Sequence, residues 1–282
     1  MIDLIEITIP ELEPLAADPA RLPVLGKSAA EHLETLFAGA ADPVRWRCDF
    51  IPSPEFAARL AATADFIVAD PESGVILASR GNAAAAKHFI PEGFRIRYPW
   101  DVLKVNETLV SALDADAVSG TVTPGAYIDG HIVLGENSRL LPGVVIEGNV
   151  VIGRGCKIGP NCYLRGSTVI GDHVHIGQAV EVKNSVIGSR SSIGHLSYVG
   201  DSVIGTGVNF GAGTIIGNLR HDGRNHRSMV HGALVETGRR KFGAIIGDGV
   251  HTGINTAIYP GRKLWPGVTT RPGEIVDRDK RE

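Results

Sequence analysis

Disulfide scaffolding, secretion and nucleic-acid binding are each argued against by something this chain lacks. Its 282 residues contain three cysteines, too few for a disulfide framework. The opening Met1–Glu6 has neither the basic region nor the apolar run of a secretion signal, and no stretch reaches the ~18 apolar residues of a membrane span. A cytoplasmic protein with no membrane partner is the expectation. The net charge is −3, so the molecule as a whole carries no nucleic-acid footprint. What the chain has in excess is glycine, 35 residues, well above the usual ~7%. Most of it falls in one periodic region, where tight corners need residues without a Cβ.

From Val122 an aliphatic residue returns every six positions: Ile128, Leu134, Leu140, Ile146, Ile152, Ile158, Leu164, Ile170, Ile176 and Val182. Five-residue steps lead to Ile187 and Ile204, and after an interval the pattern resumes at Ile246. A period of six fits neither a helix nor a hairpin sheet. It predicts a parallel β-helix, a mainly β fold in which short strands meet at corners and coils stack into one core. Cys156 and Cys162 sit four places after a repeat aliphatic, where Val144, Val150 and Val174 also sit. They are therefore predicted to be small inward-facing core residues, not nucleophiles.

Residues 1–97 lack this period. Strands are predicted at 2–7, 44–50, 66–69 and 75–78 and helices at 29–38, 54–64 and 82–88, a small α/β domain. Residues 98–116 read as a linker helix with Asp101 as its N-cap. The β-helix spans 117–276, interrupted by an inserted loop at 217–245, and 277–282 form a charged tail. The loop is long and rich in Arg, His and Asn, which suits ligand contacts; the competing reading is a trimming or oligomer-contact loop.

Three six-residue strands make one coil, so residues 18 apart stack on neighbouring coils, about 4.8 Å apart. Arg165 and Lys183 should therefore project side by side, next to a column of Tyr163, Glu181 and Tyr198. His195, Asn209, Ala212 and Asn218 fall where the steps shorten, so a basic pair, a His, a Tyr, two Asn and Gly211-Ala212-Gly213 should gather within about three coils, ~15 Å. Taken singly, His195 reads as a solvated corner residue, Arg165 and Lys183 as surface charges, and Tyr198 and Asn209 as corner residues bonding their own backbone. Their convergence favours a site.

The same residues carry a resemblance. Val180-Glu-Val-Lys-Asn184, Gly194-His-Leu-Ser-Tyr-Val-Gly-Asp201 and Asn209-Phe-Gly-Ala-Gly-Thr214 resemble the acetyltransferase domain of the bifunctional N-acetylglucosamine-1-phosphate uridylyltransferase/glucosamine-1-phosphate N-acetyltransferase. Asn218-Leu-Arg220, Gly238–Gly247 and Gly253-Ile-Asn255 resemble its archaeal-type branch. The resemblance covers roughly Tyr98–Val276. It implies a left-handed parallel β-helix of hexapeptide repeats, a homotrimer, acetyl-CoA as acyl donor held between subunits, an amino-sugar 1-phosphate as acceptor, and a role in UDP-N-acetylglucosamine biosynthesis. By position, His195 matches the catalytic base, and Arg165 and Lys183 the sugar-phosphate grip. Tyr198, Asn209 and Asn218 match sugar-contacting residues. Ala212, with Gly211 and Gly213, matches a backbone contact to the cofactor, to which Arg240 and Lys241 are also assigned. No metal is needed for such a transfer. Histidine suits the task of taking a proton from an attacking amine near neutral pH.

The front of the chain departs from that family. Leu22-Pro-Val-Leu-Gly-Lys27 and Glu31-His32 resemble a fragment of the nucleotidyltransferase domain, but its Gly-rich loop is missing and Pro19 stands where the motif has Lys. Uridylyl transfer is therefore not expected, and 1–97 reads as a shortened relic. Ile254 also stands where the bacterial branch often has a cofactor-contacting Ser. The shortened front and short tail leave open a non-catalytic scaffold or regulatory subunit. A zinc hydratase built on His221/His226 or His173/His175 is the remaining alternative.

Overall fold

The six-residue period closes into a triangular parallel β-helix, left-handed in its winding. The computed structural model describes residues 2–16, 18–38 and 42–282. Three parallel sheets of eight, seven and eight strands form its faces. The first face runs from Ala117–Val118 to Lys263–Leu264, the second from Thr121–Val122 to His251–Thr252, and the third from Tyr127–Asp129 to Ile275–Val276. Val145 lies opposite Tyr163, and Tyr163 opposite Glu181, a coil of 18 residues. Each five-residue step shortens a coil to 17, so Glu181 lies opposite Tyr198 and Tyr198 opposite Ile215. The repeat aliphatics stack as inward columns such as Ile146, Leu164, Val182, Val199, Ile216 and Ile258, all buried. Each such side chain contributes ~1.5–3 kcal/mol by leaving water. Cys156 and Cys162 are buried among them, and burial pushes the Cys162 thiol up to about 12.

The three faces differ outside. On the second, the residue before the buried inward side chain is Lys157, His175, Ser192, Asn209 or His251. On the first it is Val151, Val169, Val186, Val203 or Ile245, all buried. The reason is a cover. Helix α3 (Asp101–Ser111) and the N-terminal unit pack over this face, and the two share one core. Inside α3 the fully buried Asn106 accepts from the Leu25 N–H at 2.8 Å and donates to the carbonyls of Val102 and Pro23. That pins the hairpin of Pro23–Val24 and Lys27–Ser28 to the helix. The segment predicted as a linker is thus a packed helix. Asp101 does not cap it: the cap position is Trp100, and the Asp101 carboxylate turns back to accept from the N–H groups of Arg97 and Tyr98, both at 2.9 Å.

The N-terminal unit is a five-stranded mixed sheet in the order Ile2–Ile5, Val44–Arg47, Ile76–Arg80, Phe66–Ala69, Lys87–Phe89. Helix α1 (Ala29–Leu36) starts at a capping box of Ser28 and Glu31, and α2 (Pro54–Ala61) at Ser53. The helix predicted over 82–88 is a turn followed by a strand. Four alanines are too short a run to nucleate a helix, and Lys87–Phe89 instead pairs in parallel with Phe66–Val68.

Within 217–245 the chain leaves the third face, forms an antiparallel hairpin of Arg227–Val230 and Ala233–Glu236, and returns to the first face. The fully buried Phe242 anchors it edge-on to Trp100 and to His226. The charged end folds onto the last coil: Lys280 bridges to Leu264 beside the first face, and Asp279 accepts from the Lys263 N–H at 3.0 Å.

Candidate active site

Arg165 and Lys183 lie directly opposite each other in the third-face ladder, with Gly200 next in the column. Each cation is held by a carboxylate. Glu181 Oε1 accepts from Arg165 Nε at 2.9 Å and Nη2 at 2.7 Å, and this pairing holds the guanidinium above its ordinary pKa. Asp201 accepts from Lys183 Nζ at 2.9 and 3.1 Å. Asp201 keeps only 3% of its side-chain exposure and Lys183 15%. Asn218 Nδ2 donates to Asp201 Oδ2 at 2.6 Å and to the Tyr198 hydroxyl at 3.0 Å. Burial first, then the charges of Asp201 and Glu181, push the Tyr198 phenol upward. Three of the sequence candidates, Lys183, Tyr198 and Asn218, are therefore bonded into one cluster around Asp201 where the third face turns into the first, and Arg165, paired separately with Glu181, stands beside it in the ladder.

The others lie on the second-face side. His195 ends the strand Ser192–His195, opposite Gln178, and is exposed. Its carbonyl accepts from Ser197 Oγ at 2.7 Å and from the Gly213 N–H at 3.2 Å. Its ring makes no hydrogen bond or ion pair with the described residues. Asn209 is exposed on the second face, opposite Ser192 and His251. The single gathering expected from coil arithmetic is, within one chain, two groups, because neighbouring faces of a triangular prism point different ways. Among the three cofactor candidates at the adjoining corner, Gly211 gives its N–H to Thr252 and Gly213 to His195. The Ala212 N–H has no partner among the described residues. Arg240 and Lys241 are exposed on the insertion, where Lys241 bridges to Leu219.

Asn184, Glu107 and Arg239 complete the cluster and were not among the candidates. Asn184 Nδ2 donates to Asp201 Oδ1 at 2.9 Å and to Glu107 Oε1 at 2.6 Å. Arg239 pairs with both oxygens of Glu107. Asn184, Asp201 and Arg239 lie inside the motifs quoted above. Glu107, 132 positions from Arg239, gives no local signal. Among the described residues no three His, Cys, Asp or Glu side chains gather as a metal set, and none of the helices is long and apolar enough to cross a membrane.

A hexapeptide-repeat β-helix with paired cations on one edge and an open histidine on the next corner defines the class. The family described as the GMPPB C-terminal domain matches residues 118–264, and the chain belongs to it. Among curated relatives, a bifunctional sugar-1-phosphate nucleotidylyltransferase/acetyltransferase of Sulfurisphaera tokodaii is 46% identical over 181 residues, 64% of this chain and 45% of that protein. The bifunctional protein GlmU of Methanocaldococcus jannaschii is 37% identical over 181 residues, 64% of this chain and 44% of the relative. The match falls on the C-terminal acetyltransferase part, as the sequence motifs implied. The chain spans less than half the length of these relatives. Among solved structures, a Francisella novicida UDP-N-acetylglucosamine acyltransferase aligns with 58% of this chain and 62% of its own, at 18% identity and a TM-score of 0.41.

Proposed function

We propose that this chain is an acetyl-CoA-dependent N-acetyltransferase acting on an amino-sugar 1-phosphate, with glucosamine 1-phosphate as the acceptor to test first. The observation that carries this reading is the register pairing of Arg165 with Lys183, two cations side by side on one edge. Family membership and the names of the relatives supply the reaction class. Arg165 uses Nε and Nη2 on Glu181, which leaves Nη1 for a phosphate oxygen, and Lys183 adds a point charge beside it. Tyr198, Asn209 and Asn218 contact the sugar.

In the proposed step the amine nitrogen attacks the thioester carbonyl, and the His195 imidazole accepts the proton the amine loses. A C–N bond forms, the C–S bond breaks, and the coenzyme A thiolate takes the proton back from the imidazolium. The Ala212 N–H is the proposed donor to the tetrahedral oxyanion or to the donor's carbonyl. Arg240 and Lys241 meet coenzyme A phosphates. No acyl-enzyme is involved, since Cys156 and Cys162 are buried in the solenoid core.

The working unit is proposed to be a homotrimer. Tyr127, Val145, Ile215 and Ile275 line the third face as exposed apolar side chains, with Leu196 and Ile254 at the adjoining corner. A stripe of this kind marks a protein contact, and a neighbouring copy seated there brings His195 and Asn209 of one chain toward the cations of another. The test is thiol release from acetyl-CoA with glucosamine 1-phosphate, glucosamine and other amino sugars as acceptors. Release with the phosphorylated sugar supports the reading. Release only with another amine changes the substrate, and no release with any amino sugar leaves the scaffold role.

A further inference from the structure

The residues that hold the cations are themselves held from outside the β-helix, and this extends the function proposed above, on which it rests. Asp201 has no free acceptor position. Oδ1 takes Lys183 and Asn184, and Oδ2 takes Lys183 and Asn218, which fills the four sites of a carboxylate. Asn184 spends both amide hydrogens, one on Asp201 and one on Glu107. Glu107 stands on α3, the helix that carries the N-terminal unit onto the first face. Its carboxylate also binds Arg239, whose side chain keeps 15% exposure and whose buried Nε finds no partner among the described residues. Arg239 lies on the return limb of the insertion, whose outgoing limb carries Asn218.

We infer that Glu107 is a positioning residue for recognition of the acceptor's phosphate. Through Asn184 and Asp201 it fixes where the Lys183 ammonium stands. Through Arg239 it ties down the insertion, and with it the Asn218 amide that orients Tyr198. The chain Arg239–Glu107–Asn184–Asp201 carries two carboxylates, and with Lys183 it carries two cations. Neutralising Glu107 as glutamine leaves Arg239 without its carboxylate, turns an amide N–H toward that guanidinium and leaves Asn184 Nδ2 only a neutral acceptor, which loosens the hold on Asp201 and on the ammonium opposite Arg165. This gives α3 and the N-terminal unit a role in selectivity that needs no chemistry of their own.

The experiment compares kcat/KM for glucosamine 1-phosphate with kcat/KM for glucosamine in the full chain, Glu107→Gln and Asn184→Gly. Glycine is chosen at 184 because the backbone there has φ 46°. The expected result is a fall of about tenfold in the phosphate preference of both variants, with KM for the phosphorylated acceptor moving more than kcat. A merely structural role lowers both acceptors alike and leaves the ratio fixed. Isothermal calorimetry of glucosamine 1-phosphate reads the same contrast without turnover. If Glu107→Gln does not fold, Asn184→Gly alone decides, since it keeps the Glu107–Arg239 pair. Wild-type activity with an unchanged ratio in the folded variants overturns the inference and spares the function. A wild-type chain that neither binds glucosamine 1-phosphate nor acetylates any amino sugar overturns both.

Discussion

Replacing Asp201 by Asn tests whether the cation edge is a buried network or a decorated surface. The carboxylate accepts four hydrogen bonds and is 3% exposed, while Lys183 is 15% exposed. Removing one partner of a buried pair costs about 3–5 kcal/mol, because the other charge stays behind unpaired. The residual exposure of Lys183 lets its ammonium reach some water, so the lower figure, about 3 kcal/mol, is expected for Asp201→Asn. Lys183→Met should cost about as much, since it strands the carboxylate with only two amides. The double variant should lose far less than the sum, a coupling of about 2–3 kcal/mol. Urea unfolding at one fixed protein concentration, with each midpoint multiplied by its slope, gives all four corners of the cycle. Single losses under about 1 kcal/mol with no coupling are what exposed salt bridges give, and would refute the argument.

Other outcomes follow from burial and close approach. Burial, with Lys27 adding to it, pushes the His32 imidazole down from 6.5 to about 4. The unfolded chain therefore binds the proton first as pH falls, so this contribution is complete above 6.5 and is lost between 6.5 and about 4. The slope is ~1.4 kcal/mol per pH unit, about 3 kcal/mol in all, and His32→Leu should flatten it in pH-dependent unfolding of the chain. At the corner between the second and third faces, a Cβ on Gly177 would stand 1.9 Å from the Gly194 carbonyl oxygen, whereas one on Gly194 meets nothing within 4 Å. Gly177→Ala should then cost about 2 kcal/mol or more and Gly194→Ala less than about 0.5; equal melting temperatures would contradict the corner geometry.

The β-helix was legible because its core repeats as a single letter: one aliphatic every six positions is a one-dimensional signal that tertiary context cannot disguise. The ladder positions of Arg165, Lys183 and Tyr198 follow from the same count. The sequence carries a further signal. Every third strand carries two adjacent apolar residues, as in Val151-Ile152, Val169-Ile170, Val186-Ile187 and Val203-Ile204, the mark of a face buried on both sides. It would have shown that the first face is covered, though not that Asp101–Ser111 and the N-terminal unit cover it. Glu107 and Arg239 could not be found this way, since their pairing depends on how α3 and the insertion meet across a fold. Nor could coil arithmetic tell that His195 and Asn209 leave the prism on another side from Lys183. The turn at 83–86 shows a short alanine run yielding to strand pairing.

The central claim is that His195 removes the proton from an amino sugar during acetyl transfer. The most direct measurement is the rate at which wild-type and His195→Ala proteins convert glucosamine 1-phosphate to its N-acetyl product, followed by mass spectrometry of the sugar, with acetyl-CoA affinity measured alongside. The account predicts a loss of roughly 10²–10⁴-fold with acetyl-CoA binding retained. A folded His195→Ala protein that acetylates the sugar within about twofold of wild type, a difference of ~0.4 kcal/mol in the barrier, would contradict it.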